Sequence, residues 1–308
     1  MSIGDTIALN NGISIPRLGL GVYQSGRGRA TENAVTWALG AGYRHVDTAA
    51  MYGNEAEVGV TLKRAFADGL VAREDVFVTT KLWNSDHGYD EALRAFDASH
   101  RRLGLDQIDL FLLHWPVPHR RRHSWRALER ILGEGRCRAI GVSNFMVHHL
   151  EEILSHAKVP PAVNQIELHP WCQQRDVVAF CNAHQIAVVA YSPLTKGVKL
   201  GDPGLTTMAG EVRRSPAQVL LRWSLQKGFV TIPKSARKER IIENTAIFDF
   251  SLGAELMARL DSFDREHHVT WDPRAVNALG EIRSAIRPRR RDTPTTWRGK
   301  FDYARFRT

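Results

Sequence analysis

Short apolar runs alternate with amphipathic stretches along most of the chain. Eight runs of four to seven residues are rich in branched and aromatic side chains, for example residues 76–81 and 187–191. Each is followed by a stretch whose apolar positions recur three and four residues apart, such as Val58, Leu62 and Ala65. The first pattern is typical of buried strands and the second of helices. The chain is therefore predicted to alternate regularly between strands and helices.

The predicted elements are defined by these runs. Strands are expected at residues 18–22, 43–47, 76–81, 108–114, 139–143, 163–166, 187–191 and 229–232. Helices are expected at residues 32–39, 55–66, 89–103, 124–132, 147–156, 175–184, 217–226 and 238–248.

Eight strand–helix units predict an α/β fold, a single (β/α)₈ TIM barrel. A dinucleotide-binding open sheet would instead carry G-x-G-x-x-G after a strand, and the near match at Gly26 and Gly28 has Thr31 at the third glycine position. We expect a short N-terminal segment, a barrel domain over residues 1–275 and a C-terminal extension over residues 276–308.

The formal charge of +9 is concentrated at the C-terminus. Residues 276–308 contain eight arginines and one lysine against three acidic residues, so +6 lies there and +3 on the rest. The barrel itself is therefore not strongly basic, and the charge predicts a basic extension. Nucleic acid is not the expected partner.

Composition predicts a globular protein outside the membrane. The 308 residues are 43% hydrophobic and 24% charged, and no apolar run reaches the ~18 residues of a membrane span. The N-terminus lacks the pattern of a secretory signal. Cys137, Cys172 and Cys181 are an odd set without metal-ligand spacing, which favours a reducing compartment. We expect a cytoplasmic monomer without a bound metal.

Polar side chains stand at the ends of the predicted strands. In a parallel barrel these ends meet at one mouth, where active sites lie. Polar groups at the ends of apolar runs are costly to bury unless they are paired or functional. The residues are Asp47, Lys81, His114, Ser143, Asn144, Gln165 and Tyr191, with Tyr52 five positions after Asp47. Together they predict a site at the mouth.

Three motifs in this order resemble the signatures of the aldo-keto reductase family. They are GYRHVDTAAMYGNE at residues 42–55, continuing to Gly59, RAIGVSNF at 138–145 and IPKSARKERIIEN at 232–244. The resemblance extends from about residue 7 to about residue 273. The segments KLWN at 81–84, HWP at 114–116 and NQIELHP at 164–170 are most similar to the prokaryotic branch that includes 2,5-diketo-D-gluconic acid reductases.

The resemblance implies a catalytic tetrad of Asp47, Tyr52, Lys81 and His114, all present in this chain. Reduction of a carbonyl group leaves an alkoxide that must be protonated, and free tyrosine, with a pKa near 10, is a poor acid at pH 7. A lysine ammonium beside the phenol is expected to lower that pKa, with Asp47 keeping the lysine charged. His114 is expected to donate a hydrogen bond to the carbonyl oxygen. The implied activity is NADPH-dependent reduction of aldehydes or ketones, keto acids and keto sugars included, with Tyr52 as general acid.

The resemblance also implies an NADP(H) site. Ser143, Asn144 and Gln165 correspond to residues that hydrogen-bond the nicotinamide amide, and Tyr191 to the aromatic that stacks on its ring. The positions that grip the 2′-phosphate, where several cationic donors suit a dianion, are Lys234, Ser235, Arg237 and Arg240. Ser192 and Leu194 correspond to pyrophosphate contacts, and Glu243 and Asn244 to adenine contacts. The other cofactor positions are Gly21, Val22, Asp47 and Ile232.

The substrate is predicted only as a small carbonyl compound. Its pocket is expected to have largely apolar walls, formed with His114 by Tyr23, Trp83, Trp115 and Trp271. Two alternatives remain: a non-catalytic NADPH-binding sensor, and a nucleic-acid-associated protein acting through the basic and aromatic residues of the extension. A complete tetrad favours the enzyme, because a sensor does not need Lys81 beside Tyr52.

Overall fold

A computed structural model describes residues 1–275. The predicted basic extension at residues 276–308 lies outside the described residues, so the domain boundary and the nucleic-acid hypothesis stay untested predictions.

Eight parallel strands form one sheet in chain order. They are β3 (Leu20–Gly21), β4 (His45–Asp47), β5 (Phe77–Leu82), β6 (Ile108–Leu113), β7 (Cys137–Ser143), β8 (Val163–Glu167), β9 (Ala187–Tyr191) and β10 (Val230–Thr231). The first and last strands meet through parallel bridges between Leu18 and Thr231 and between Gly21 and Lys234. The sheet thus curls into a barrel, which confirms the predicted fold.

Glycine permits the strands to approach closely where the barrel closes. A Cβ atom at Gly21 would lie 3.0 Å from the carbonyl oxygen of Ile232, closer than such atoms normally pack. The amide of Gly21 instead donates to the carbonyl oxygen of Pro233 at 3.1 Å. A side chain here would push apart the two strands that end beside the predicted cofactor site.

Helices cover the outside of the sheet. They are α1 (Arg29–Gly40), α2 (Glu55–Ala67), α3 (Tyr89–Leu103), α4 (Arg121–Gly133), α5 (Val147–Leu154), α6 (Arg175–Ala183), α7 (Pro203–Glu211), α8 (Pro216–Gln226), α9 (Lys238–Glu243) and α10 (Ala254–Asp261). None of the helices within residues 1–275 has the length and apolar character of a membrane span.

A hairpin closes the N-terminal end of the barrel. Strands β1 (Thr6–Ala8) and β2 (Ser14–Pro16) pair antiparallel. Leu9 and Ile15 belong to a buried apolar cluster with Phe77. Phe77 begins its barrel strand, so the hairpin fills the bottom of the barrel and leaves the opposite end open for chemistry.

The predicted strands agree with the observed ones to within two residues at each end. Helices α7 and α10 were not predicted, and α9 ends at Glu243 rather than at residue 248. The β1–β2 hairpin was marked only by its turn residues, because strands of three residues are too short to show a period. Helix α4 begins at Arg121, three residues before its predicted start, because its first turn is polar.

Candidate functional site

A buried ion pair lies at the centre of the barrel mouth. Asp47, at the end of β4, and Lys81, in β5, are 2% and 0% exposed, and Lys81 Nζ lies 2.6 Å from Asp47 Oδ1. Lys81 Nζ also donates to the carbonyl oxygen of Thr48 at 2.8 Å and to Tyr52 Oη at 3.3 Å. Three oxygen acceptors match the three hydrogens of an ammonium group. The arrangement therefore holds a charged lysine against the Tyr52 hydroxyl.

Tyr52 and His114 approach the same point from different elements. Tyr52 ends a 3₁₀ turn at Ala50–Tyr52, between β4 and α2, and His114 directly follows β6. Their ring centroids are 5.8 Å apart with the planes at 74°. The structure thus brings together all four residues of the predicted tetrad.

Burial controls the pKa of Tyr52. Burial raises that pKa well above 10, and the neighbouring Asp47 charge raises it further. The predicted net lowering of the Tyr52 pKa was wrong, because loss of solvent around the phenolate outweighs the stabilisation by the Lys81 ammonium, which Asp47 already neutralises. The phenol is therefore protonated at neutral pH, which is the form that a proton donor needs.

His114 is held as a neutral imidazole. Burial lowers its pKa well below 6.5, and the charge on Lys81 lowers it further. Its Nδ1 is buried without a hydrogen-bond partner among the described residues. A neutral imidazole carries one N–H donor and one acceptor, so the ring can donate to a carbonyl oxygen without adding a charge to the site.

The predicted nicotinamide contacts form a linked layer beside the ion pair. Gln165 Nε2 donates to Asp47 Oδ2 at 2.7 Å, and Ser143 Oγ donates to the carbonyl oxygen of Gln165 at 2.8 Å. Asn144 Nδ2 donates to Ser143 Oγ at 3.1 Å, and Tyr191 Oη donates to Asn144 Oδ1 at 2.8 Å. Hydrogen bonds within the protein thus fix the orientation of these side chains.

The chain turns sharply after β9. Ser192, Thr195 and Lys196 have φ angles of 50°, 52° and 53°, which L residues rarely adopt. Thr195, 0% exposed, holds its turn by donating to the carbonyl oxygen of Leu194 and accepting from Lys199 N at 3.1 Å. This segment carries the predicted pyrophosphate contacts Ser192 and Leu194. Strained backbone of this kind is concentrated at functional loops.

The predicted 2′-phosphate cluster follows β10. Lys234, Arg237 and Arg240 are exposed, and none has an acidic partner within residues 1–275. Ser235 is buried, and its Oγ accepts from Arg237 N at 3.1 Å.

The two predicted adenine contacts, Glu243 and Asn244, end helix α9, with Glu243 partly exposed and Asn244 buried. The other three cofactor positions, Gly21, Val22 and Ile232, are buried where the barrel closes.

Aromatic side chains surround the tetrad. The ring centroids of Tyr23 and Tyr52 are 4.9 Å apart, and those of Trp83 and His114 are 5.2 Å apart. The ring centroids of Trp115 and Trp271 are 5.8 Å apart. The predicted pocket residues thus lie in two aromatic groups, which the consecutive residues His114 and Trp115 join along the chain. Within residues 1–275 no cluster of His, Cys, Asp and Glu is arranged as a metal site.

The prediction missed one buried carboxylate at the mouth. Glu167 ends β8, is 1% exposed and accepts hydrogen bonds from residues 268–270. The alternation of strand side chains contained a signal, because Glu167 is two positions after Gln165 and therefore on the same face.

Comparisons with known proteins agree on one family. The model of the aldo/keto reductase family matches residues 17–203. Glyoxal reductase of Bacillus subtilis is 46% identical over 272 residues, which are 88% of this chain and 97% of that protein. The 9,11-endoperoxide prostaglandin H2 reductase of Trypanosoma cruzi is 47% identical over 270 residues, covering 87% of this chain and 94% of that protein.

The fold agrees as well. The crystal structure of a Bombyx mori aldo-keto reductase in complex with NADP matches with a TM-score of 0.82 and 38% identity, over 86% of this chain and 94% of that one. The narrower resemblance to 2,5-diketo-D-gluconic acid reductases stays a prediction. The chain belongs to the aldo/keto reductase family, and the protein is an oxidoreductase.

Proposed function

We propose that this oxidoreductase reduces small aldehydes or ketones to alcohols with NADPH, using Tyr52 as the proton donor. The observation that carries the proposal is the contact of Lys81 Nζ with both Asp47 and Tyr52, beside the ring of His114. When bound, NADPH supplies the hydride that reduces the carbonyl carbon.

The four side chains divide the remaining work. The neutral His114 donates a hydrogen bond that orients the carbonyl oxygen next to Tyr52. Tyr52 Oη gives its proton to that oxygen as negative charge develops on it. The ammonium of Lys81 stabilises the phenolate that remains, and Asp47 keeps Lys81 charged and directed at Tyr52. Gln165 fixes the second oxygen of Asp47.

The donor set fits NADPH. Lys234, Arg237 and Arg240 offer cationic groups that no acidic side chain of residues 1–275 neutralises, as a dianionic 2′-phosphate requires. Asn244 is 3% exposed, and its side chain has no hydrogen-bond partner within the described residues, so it is free to bind an adenine edge. The same cofactor is bound in the Bombyx mori relative, as NADP.

Replacing Tyr52 with Phe tests the proposal. We expect kcat for a generic activated aldehyde to fall by roughly 10²–10⁴-fold, because the proton donor is lost. NADPH affinity, measured by protein fluorescence, should stay within about twofold, because the hydroxyl acts on the reacting oxygen. Tyr89→Phe, at the start of α3, is the matched control and should keep wild-type rates. A Tyr52→Phe enzyme with half of wild-type kcat, when chemistry is rate-limiting, would contradict the assignment.

The substrate class is proposed from the pocket. Aromatic walls at Tyr23, Trp83, Trp115 and Trp271 suit a compact carbonyl compound, and the Bacillus subtilis relative is a glyoxal reductase. A panel of aldehydes, keto acids and keto sugars, followed by NADPH absorbance, would rank them. We also propose a cytoplasmic location, which the free thiols of Cys137, Cys172 and Cys181 support. The monomeric state stays a prediction.

A further inference from the structure

The carboxylate of Glu167 is buried among hydrogen-bond donors. It accepts from Val269 N at 2.6 Å, from Thr270 N at 3.1 Å and from the Thr270 hydroxyl. His169 Nε2 and His268 Nδ1 lie 3.1 Å and 3.3 Å from its oxygens. These hydrogen bonds outweigh burial and lower the pKa of Glu167, so it is ionised at neutral pH. The proposed chemistry does not use this charge.

All of these groups except His169 belong to one segment that crosses the barrel mouth, the C-terminal strap, defined as residues 265–271. Its first half is tied by backbone bonds from Arg265 N and His267 N to the carbonyl oxygen of Trp171, at 3.1 Å and 2.9 Å. Its last residue, Trp271, lies against Trp115 at 5.8 Å. The Glu167 carboxylate thus holds the strap next to Trp271, a residue of the aromatic wall of the pocket.

A second contact of the strap contributes little. Tyr191 Oη lies 3.2 Å from Thr270 Oγ1 but gives its single hydrogen to Asn144 Oδ1. Asn144 Oδ1 is the acceptor end of its amide, because Nδ2 donates to the carbonyl oxygen of His114. The Thr270 hydroxyl hydrogen goes to Glu167. No hydrogen is left for the 3.2 Å contact, so the hydrogens of Val269 N, Thr270 N and the Thr270 hydroxyl all go to Glu167.

We propose that Glu167 is a positioning residue for substrate binding: it fixes the strap so that Trp271 packs on Trp115, and it thereby determines how the pocket accepts bulky aromatic carbonyl compounds. This inference rests on the proposed function. Only an ionised carboxylate suits the site, because glutamine has one acceptor oxygen and its NH₂ group would face donors. A donor left unpaired there would release the strap.

Glu167→Gln separates this role from a general structural one. We expect KM for 2-naphthaldehyde, a bulky aromatic substrate, to rise about tenfold, while KM for glyoxal and the Kd for NADPH change less than about twofold. Thr270→Val removes only the hydroxyl bond and should give a smaller rise for the aromatic aldehyde alone. Glu129→Gln is the matched control, because Glu129 Oε1 accepts from Lys158 N and Val159 N at 2.6 Å and 3.0 Å outside the pocket.

Trypsin digestion reports the strap without any turnover. Arg265 and Arg274 flank the bonds made to Glu167 and are exposed, so cleavage there should be faster in Glu167→Gln than in wild type or Glu129→Gln. Equal KM rises for naphthaldehyde and glyoxal, or unchanged cleavage in a folded Glu167→Gln protein, would overturn the proposal. If Glu167→Gln does not fold, a Thr270→Val enzyme whose KM for 2-naphthaldehyde equals that of wild type would overturn the proposal. Absence of turnover in the wild type would contradict the proposed function instead, and digestion would still test the strap.

Discussion

Burial determines the protonation states of single residues at the barrel mouth. It keeps Tyr52 a phenol and His114 a neutral ring, while Lys81 has an acceptor for each ammonium hydrogen. The predicted tetrad was recognisable from its motif. The direction in which the Tyr52 pKa shifts could not be predicted from the motif, because it depends on how much solvent the fold removes around the phenol and on the charges of both Asp47 and Lys81.

At the same scale, Arg240→Ala should weaken binding of NADPH and leave that of NADH unchanged. Losing one charge-assisted contact with the 2′-phosphate costs about 1.5–3 kcal/mol, or roughly tenfold or more in Kd. Fluorescence titration with both cofactors measures the change. Lys238→Ala, exposed in the same helix α9, is the control and should bind both as wild type does. Equal weakening toward NADH would place Arg240 outside the 2′-phosphate site.

At the scale of elements, one glycine of the first motif acts in helix packing. Gly59 lies in α2, where a Cβ atom would be 2.0 Å from the carbonyl oxygen of Leu103 at the end of α3. Backbone cannot yield to such a contact without moving a whole helix. The motif alone does not distinguish this role from a catalytic one, since the contact partner is 44 residues away in the chain.

Gly59→Ala should therefore lower the free energy of unfolding by about 1–3 kcal/mol, as overpacked cores do. The rate constants of the folded enzyme at 25 °C should not change, because the contact lies outside the mouth. Gly133→Ala is the control: it ends α4, no atom lies within 4 Å of the added Cβ, and alanine favours a helix. Urea unfolding of both variants gives the values. Equal stability of the two would contradict the packing role.

At the scale of the whole molecule, buried neutral histidines link stability to pH. Burial lowers the pKa of His45 and of His87 to about 3, with Lys81 contributing at His45 and Arg120 and Arg121 at His87. In the unfolded chain both take up a proton near pH 6.5, so the unfolded state binds more protons between about pH 6.5 and 3. Their contribution to stability is present above pH 6.5 and is lost as pH falls.

We expect the free energy of unfolding to fall by about 1.4 kcal/mol per histidine for each pH unit below ~6. Denaturant unfolding at pH 7.5, 6.0, 5.5 and 5.0 measures the slope. His87→Gln should reduce that slope by the contribution of one histidine, about 1.4 kcal/mol for each pH unit. Replacement of the exposed His156 by Gln should leave the slope unchanged. A slope in His87→Gln equal to that of wild type would show that His87 does not carry this linkage.

The sequence by itself determined the barrel and which four residues meet at its mouth. A strand period and a helix period are local properties, and Asp47, Lys81 and His114 stand at or beside strand ends that any parallel barrel brings to one mouth. Tertiary structure alone decided the pKa of Tyr52, the place of the hairpin beneath the barrel and the attachment of the strap to Glu167. Each depends on contacts between residues distant in the chain, such as the bond from Val269 N to Glu167 across 102 positions, and on the water that packing removes.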